Sequence, residues 1–474
     1  QVFGVVNVIP HIHFDEHTID ITKMCILDFM GVAIAGSAKK ESSIWKEYYA
    51  EKVTAPQASL FQPGFQNMTA EQAAEQIKAM QAQALAPWMI PLIIIGMLAL
   101  VIFIVFISNA ERRLPVHNAS ITHLAVITVP TAFALAQKLH LSGKQVIEAV
   151  AAGYEAGARI GETINPSSYK YWHTTAVVGA FSSGATASKL LGLTEEQIVN
   201  CFGSAGTQAA GLWEFLASGS MSKVLHTANA NLCGMRAAEL AKLGFTGAPT
   251  ILEGERAFVN ALAPEHDMNN LVKGFGEGYR ITENSFKPYA CCRHTHSADY
   301  CVEKILAAHD INPDDIVSIT DDTYSTAVQT TNNPYPENPY AAKFSVQFCI
   351  AAAIILRDLS DRVFTIENIN NPKIKELMSK IKVNVSPKLD DEFHQDPNQW
   401  SHKLTITMKN GEVITDQVDY PIGDFKNPFD WAMADRKFRL LTEDMLGADV
   451  VTRLLDNLHN LETFDDINKV FQLS

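Results

Sequence analysis

The sequence predicts a mainly α protein, with a large all-α helical domain plus a smaller α+β domain, on three observations. From Ser120 to about Leu262, apolar residues recur at helical spacing in a stretch rich in Ala and Gly. After Tyr279 the period falls to two: Asp315–Ser325, Ser379–Ser386 and Lys403–Val418 alternate polar and apolar residues, as half-buried strands do. From Pro428 the helical period returns. The implied order is an N-terminal arm (1–17), a helical domain (18–280), an α+β domain (281–420) and helices that rejoin the helical domain (421–474).

Taken in order, Thr18–Ala35 reads as a helix stopped by Gly36, with Ile21, Met24, Cys25, Phe29 and Val32 on its apolar side. Ser142–Glu162 follows the same rule through Val146, Ile147, Val150 and Tyr154, and Thr194-Glu-Glu-Gln197 is a capping box that opens another helix. GSAGTQAAG (203–211) lacks a preceding strand, so it reads as close helix packing rather than a phosphate loop; KGFGEG (273–278) reads as a linker. Ala341–Leu356 and Asn371–Met378 are expected as helices between strands. In Lys403–Val418, Leu404, Ile406 and Met408 alternate before Asn410-Gly411, predicting a hairpin with a type I′ turn.

A chain of 474 residues has room for two or three domains. A net charge of −14 argues against nucleic acid as a partner, because phosphate neutralisation needs a basic surface. Seven cysteines with no CxxC pair argue against a disulfide framework and for a reducing, cytoplasmic setting. QVFGVVNVIPHIH lacks a positive n-region, so no signal peptide is expected. One stretch breaks this pattern. From Lys78 to Glu111 no charge intervenes, and 86–107 is apolar enough for a membrane-spanning helix, with Glu111, Arg112 and Arg113 directly after it. A membrane association would run through this segment; a buried helix weakened by Pro91 and Gly96 is the alternative reading.

Four clusters carry candidate chemistry. MSKVLHTANANLCGMR (221–236) places Lys223 and His226 three apart on one helix face, a cation and a titratable ring suited to an anionic substrate that gains or loses a proton. HNASITH supplies His117 and His123, and YWHTT sets His173 before a helix N-terminus, where backbone N–H groups favour anions. SFKPYACCRHTHS supplies Lys287, Cys291, Cys292, Arg293, His294 and His296. Solvated lysines and histidines are the plainer reading of each. A metal module built on HIHFDEH (His11, His13, Asp15, His17) or on CCRHTH is a further alternative, disfavoured for the latter because adjacent cysteines do not easily face one tetrahedral ion.

DFMGVAIAGS (28–37), GYEAGARIGE (153–162), SKVLHTANANLCGMRAAELAKLGFTG (222–247), SFKPYACCRHTHSA (285–298), AAKFSVQF (341–348) and NPFDWAMADRKFRLL (427–441) resemble the MmgE/PrpD family, over roughly 18–74 and 116–474. That family includes 2-methylcitrate dehydratase, cis-aconitate decarboxylase and iminodisuccinate epimerase. The resemblance implies a homodimer of a helical domain plus an α+β lid, a site between the two, no organic cofactor and no metal. It also implies a small di- or tricarboxylate substrate and proton transfer beside a carboxylate, in a hydro-lyase or related lyase or isomerase. Matched residue by residue, Lys223 and Lys287 are expected to clamp carboxylates and His123 and His173 to form the acid–base pair. His117, His226, Arg293 and His294 are expected around the substrate, with Arg293 able to fork onto a second carboxylate. The chain departs from the family pattern at Glu75–Pro115, where Arg112, Leu114 and Pro115 stand at positions that carry acidic residues in the family. An inactive or membrane-tethered relative is therefore a second expectation.

Overall fold

A computed structural model describes Ile9 and residues 14–36, 114–215, 221–396 and 398–473. The apolar run 86–107, the segment 75–113 and His11 and His13 lie outside these residues. Among the described residues no helix is long and apolar enough to cross a membrane.

The fold is mainly helical with a small α+β part, as the two sequence periods predict. Its longer helices are α1 (Glu16–Gly36), α2 (Ala125–Leu139), α3 (Gly143–Ile164), α4 (Thr174–Leu191), α5 (Glu195–Gly206) and α6 (Ser222–Lys242), then α7 (His296–Ala308), α8 (Val346–Leu356), α9 (Pro372–Ser379), α10 (Trp431–Leu446) and α11 (Ala448–His459). Capping boxes open α3 and α5: the Ser142 and Thr194 side chains accept the backbone N–H of Gln145 and Gln197, whose side chains accept in return.

Helix α4 lies at the centre of the helical part, with α2, α3, α5 and α6 packed around it. The small-residue stripe explains how closely they pack. A Cβ on Gly234 of α6 would sit 2.4 Å from the Gly184 backbone nitrogen of α4, so only glycine allows this helix crossing. Helices α10 and α11 return to this core, where α10 lies along α1 and Lys437 pairs with Asp28 at 2.6 Å.

A second hydrophobic core belongs to the α+β part, where α7, α8 and α9 pack with a four-stranded sheet. Its strands are β3 (Ile316–Thr323), β4 (Ile381–Val385), β5 (His402–Met408) and β6 (Val413–Val418), in the order β4-β3-β5-β6; β3 and β4 are parallel and the other pairs antiparallel. Leu404, Ile406 and Met408 are buried while the residues between them are not, as the alternation requires.

Two local expectations are corrected. The β5–β6 turn is not type I′, which needs positive φ at two central residues. Gly411 alone has positive φ (85°), its N–H donates to the Met408 carbonyl, and Met408 faces Glu412 across a three-residue loop. This is a type I turn closed by a left-handed glycine. The expected helix 341–356 is also interrupted: a short turn, Pro339–Ala342, ends before Ser345, which caps α8 by accepting the Phe348 N–H. The break leaves the Lys343 carbonyl available, and it accepts the backbone N–H of Cys292 at 2.8 Å.

A two-stranded ribbon joins the two parts. β1 (Val116–His117) pairs antiparallel with β2 (Asn284–Ser285), so the strand before His123 lies beside the strand before Lys287.

Candidate active site

A cleft of about 890 Å³ lies between the helical part and the α+β part. Small-ligand clefts span roughly 300–1,000 Å³, so it is of ordinary size. His123, Trp213 and Lys223 line it from one side, and Lys287, Cys292, Arg293 and His294 from the other.

On the helical side, His123 sits just ahead of α2. Its backbone N–H donates to Thr175 Oγ1 at 3.1 Å, and its Nδ1 lies 3.1 Å from the Pro115 carbonyl. A carbonyl only accepts, so Nδ1 carries the proton and the neutral ring has its lone pair on Nε2. Pro115 orients the ring through its backbone carbonyl. Lys223 lies in the first turn of α6, with Nζ 5.7 Å from the centre of the Trp213 ring.

The α+β side is more deeply buried. Lys287 follows β2 and is 3% exposed. Burial pushes its amine down to about 7; Cys292 opposes that shift, while the Lys223 and Arg293 cations add to it. Cys292 lies beside it, its thiol pushed up by burial against the pull of Lys287. Cys291 turns its Sγ to Thr295 Oγ1 (3.1 Å) and Asp299 Oδ2 (3.3 Å), so the adjacent cysteines serve different surroundings.

Arg293 is already paired. Its Nη2 donates to Asp424 Oδ2 at 2.9 Å, and that carboxylate also accepts from Asn118 Nδ2, Ser285 Oγ and the Lys426 backbone N–H. Arg293 thus lines the cleft and at the same time forms a buried ion pair that ties β2 to the α+β part. His294 stacks on Trp400 with ring centres 4.3 Å apart, and its Nδ1 meets Tyr324 Oη at 2.5 Å. Burial pushes its pKa to about 3, with the cations around it acting in the same direction, so the ring is neutral.

The remaining expected residues stand outside the cleft. His173 directly precedes α4 as predicted, without a side-chain cap, and packs on Trp213 with ring centres 4.8 Å apart, its Nδ1 3.3 Å from His226 Nδ1. His226 lines a neighbouring cavity with Trp172, Leu212, Phe215 and Leu225. Although it shares a helix with Lys223, Trp213 and Phe215 come between it and the cleft. His117 belongs to strand β1. Its neighbour Val116 lines the cleft, and alternation turns His117 the other way, fully buried.

Two groups of described residues could hold a metal ion by proximity: His117, Glu162 and Glu283, and Cys291, Asp299 and Cys349. In the first, Arg280 already pairs with Glu162 (2.9 Å) and Glu283 (3.5 Å); in the second, burial pushes the Cys291 and Cys349 thiols up, away from the thiolate form a metal requires. Of the HIHFDEH set, Asp15 accepts the Thr18 N–H at 2.7 Å, as a capping residue does.

Sequence reasoning missed Trp213, Tyr324, Asp321, Trp400, His402 and Asp424. Part of this was readable: Asp321 keeps phase with buried Ile319 and Thr323, and His402 with Leu404 and Ile406. A charged or titratable residue in the buried phase of a strand is a signal in itself.

Comparison with known proteins places the chain in context. The model of the MmgE/PrpD N-terminal domain matches 115–271, and that of the MmgE/PrpD C-terminal domain matches 289–462. Cis-aconitate decarboxylase of Aspergillus terreus (strain NIH 2624 / FGSC A1156) is 27% identical over 384 residues, covering 75% of this chain and 77% of the relative. Cis-aconitate decarboxylase of Mus musculus is 27% identical over 377 residues, covering 75% and 74%. The mitochondrial 2-methylcitrate dehydratase of Yarrowia lipolytica is 25% identical over 258 residues, covering 52% and 49%. These relatives are lyases. With both domain models matched across most of its length, the chain belongs to the MmgE/PrpD family.

Proposed function

We propose that this chain is a cofactor-independent lyase that moves a proton on or off a carbon beside a carboxylate of a small di- or tricarboxylate. The observation that carries this reading is the cleft itself: two lysines, Lys223 and Lys287, approach from opposite sides of a space also lined by His123 and His294. Carboxylates would bind the two ammonium groups, which would also stabilise the enolate-like charge that grows when a neighbouring carbon loses its proton. His123 would accept that proton at Nε2, because Nδ1 is occupied by the Pro115 carbonyl. His173 would act from behind Trp213 and reach substrate only if that ring moves aside.

Cis-aconitate and 2-methylcitrate, named in the relatives, are the first candidates to assay. Loss of CO₂ from the former would assign decarboxylation; loss of water from the latter would assign dehydration. An epimerase would give neither and would instead invert a stereocentre. Purified chain should turn over one such acid, and Lys287→Ala should remove that turnover. No turnover of any di- or tricarboxylate by folded protein would sink the proposal and favour the inactive relative.

A further inference from the structure

Behind the α+β wall of the cleft lies a buried polar chain to which no role has been given. His402 is fully buried, and both of its ring nitrogens face acceptors: Nδ1 is 2.8 Å from Asp321 Oδ1, and Nε2 is 2.8 Å from the His294 carbonyl. A ring that donates to two acceptors carries both protons, so His402 is an imidazolium paired with the Asp321 carboxylate. The charge balance agrees: burial works against the charge, yet Asp321 and the His294 carbonyl outweigh it, Asp299 on α7 adds to them, and the pKa rises. Beside His402, with ring centres 6.2 Å apart, stands Tyr324, whose Oη lies 2.5 Å from His294 Nδ1, and the Trp400 indole covers the His294 ring face.

We infer that His294 works in the cleft as a neutral Nε2–H hydrogen-bond donor, with its tautomer set by Tyr324 and its position set by the buried Asp321–His402 pair. The inference rests on the lyase reading for its catalytic meaning, and on the Tyr324 contact for the tautomer. A phenol hydroxyl is a stronger donor than acceptor and a neutral imidazole nitrogen a stronger acceptor, so we assign Tyr324 Oη as the donor to His294 Nδ1, which leaves the ring proton on Nε2. His123 has the opposite tautomer, with the proton on Nδ1 and the lone pair on Nε2. The cleft thus holds one imidazole ready to take a proton and one ready to donate a hydrogen bond to a substrate oxygen that gains charge. The cations around His294 (Lys287, Arg293 and His402) all disfavour its protonation, so it stays a neutral donor. His402 and Asp321 are positioning residues: they fix the His294 backbone and touch no substrate.

Nitrogen-15 NMR of the histidine rings in the full-length protein tests the tautomer without any substrate. The expected result is a His294 ring protonated on Nε2 and unchanged from pH 5 to pH 9. In Tyr324→Phe, where Nδ1 loses its donor, the ring should become a mixture of tautomers. A His294 that titrates in this range, or that carries its proton on Nδ1 in the wild type, overturns the inference whether or not the chain is a lyase. For the positioning claim, His402→Gln and Asp321→Asn should lower kcat on the turned-over acid by roughly 10–100-fold at unchanged KM, as loss of an orienting partner does elsewhere. An unchanged kcat in folded variants overturns that part. If His402→Gln does not fold, Asp321→Asn carries the same reading.

Discussion

The two walls of the cleft each present a lysine and a histidine, and they do so in opposite ways. On the helical side, Lys223 and His123 are only part-buried, and His123 is held by one carbonyl and one hydroxyl. On the α+β side, Lys287 and His294 are buried beside two polar sets, Arg293 with Asp424, and His294 with Tyr324, His402 and Asp321. Burial is what separates them. It lowers the Lys287 amine to about 7 and leaves His294 uncharged, whereas Lys223 and His123 line the same cleft while only part-buried. One wall is suited to exchanging protons and the other to fixing charge and geometry.

The largest expected effect separates the two histidines. His123→Asn should lower kcat by about 10²–10⁴-fold, the usual worth of a general base, while His294→Asn, which keeps an N–H donor, should cost far less. Equal losses in steady-state kinetics would break the contrast between the walls. Next come the two lysines. Lys287→Met and Lys223→Met should each lower kcat/KM by about 10²–10³-fold, as loss of a charge-stabilising donor does. Their stabilities should part company, though. Because burial lowers the folded pKa of Lys287, the unfolded chain binds more protons between about 7 and the ordinary lysine range, so stability rises with pH across that window. The full penalty is present below about 7. Lys287→Met should therefore raise Tm by roughly 2–4 °C at pH 6 and by less at pH 9, with no such gain for Lys223→Met.

The same titration predicts a smaller kinetic effect. As pH rises through about 7, Lys287 loses its charge and KM for a carboxylate substrate should increase severalfold; Lys287→Arg, charged throughout, should flatten that dependence. A KM independent of pH in the wild type would place the clamp on Lys223 alone. The smallest effect is a control outside the cleft: Ser142→Ala removes the α3 cap and should cost about 1 kcal/mol in denaturant unfolding, with turnover unchanged.

How much of this was legible in the sequence varies with the range of the interaction. The helices, the Thr194 capping box and the strand phases follow from local pattern, and the structure has them; the Ser142 box, equally local, went unread. The hairpin turn did not follow, because Asn-Gly fits more than one turn type and the three-residue loop depends on where Met408 and Glu412 pair. The cleft was legible as residue types: Lys223, Lys287, His123 and His294, all candidates from the sequence, line it. Which residues face it was not. Val116 and His117 are neighbours in sequence, and strand alternation sends one into the cleft and the other to Glu162 and Glu283. Trp213 came between His173, His226 and the cleft because a loop folds back across α4 and α6, a long-range event that spacing does not encode. The commitment of Arg293 to Asp424 joins residues 131 positions apart.

The most direct test of the central claim is proton exchange. The purified chain is incubated in D₂O with cis-aconitate, 2-methylcitrate and related di- and tricarboxylates, and deuterium at carbon is followed by NMR for the wild type and for His123→Asn. The account predicts deuterium at a carbon beside a carboxylate in the wild type, lost in the variant. Undiminished exchange in folded His123→Asn, or none with any acid from folded wild type, would contradict it.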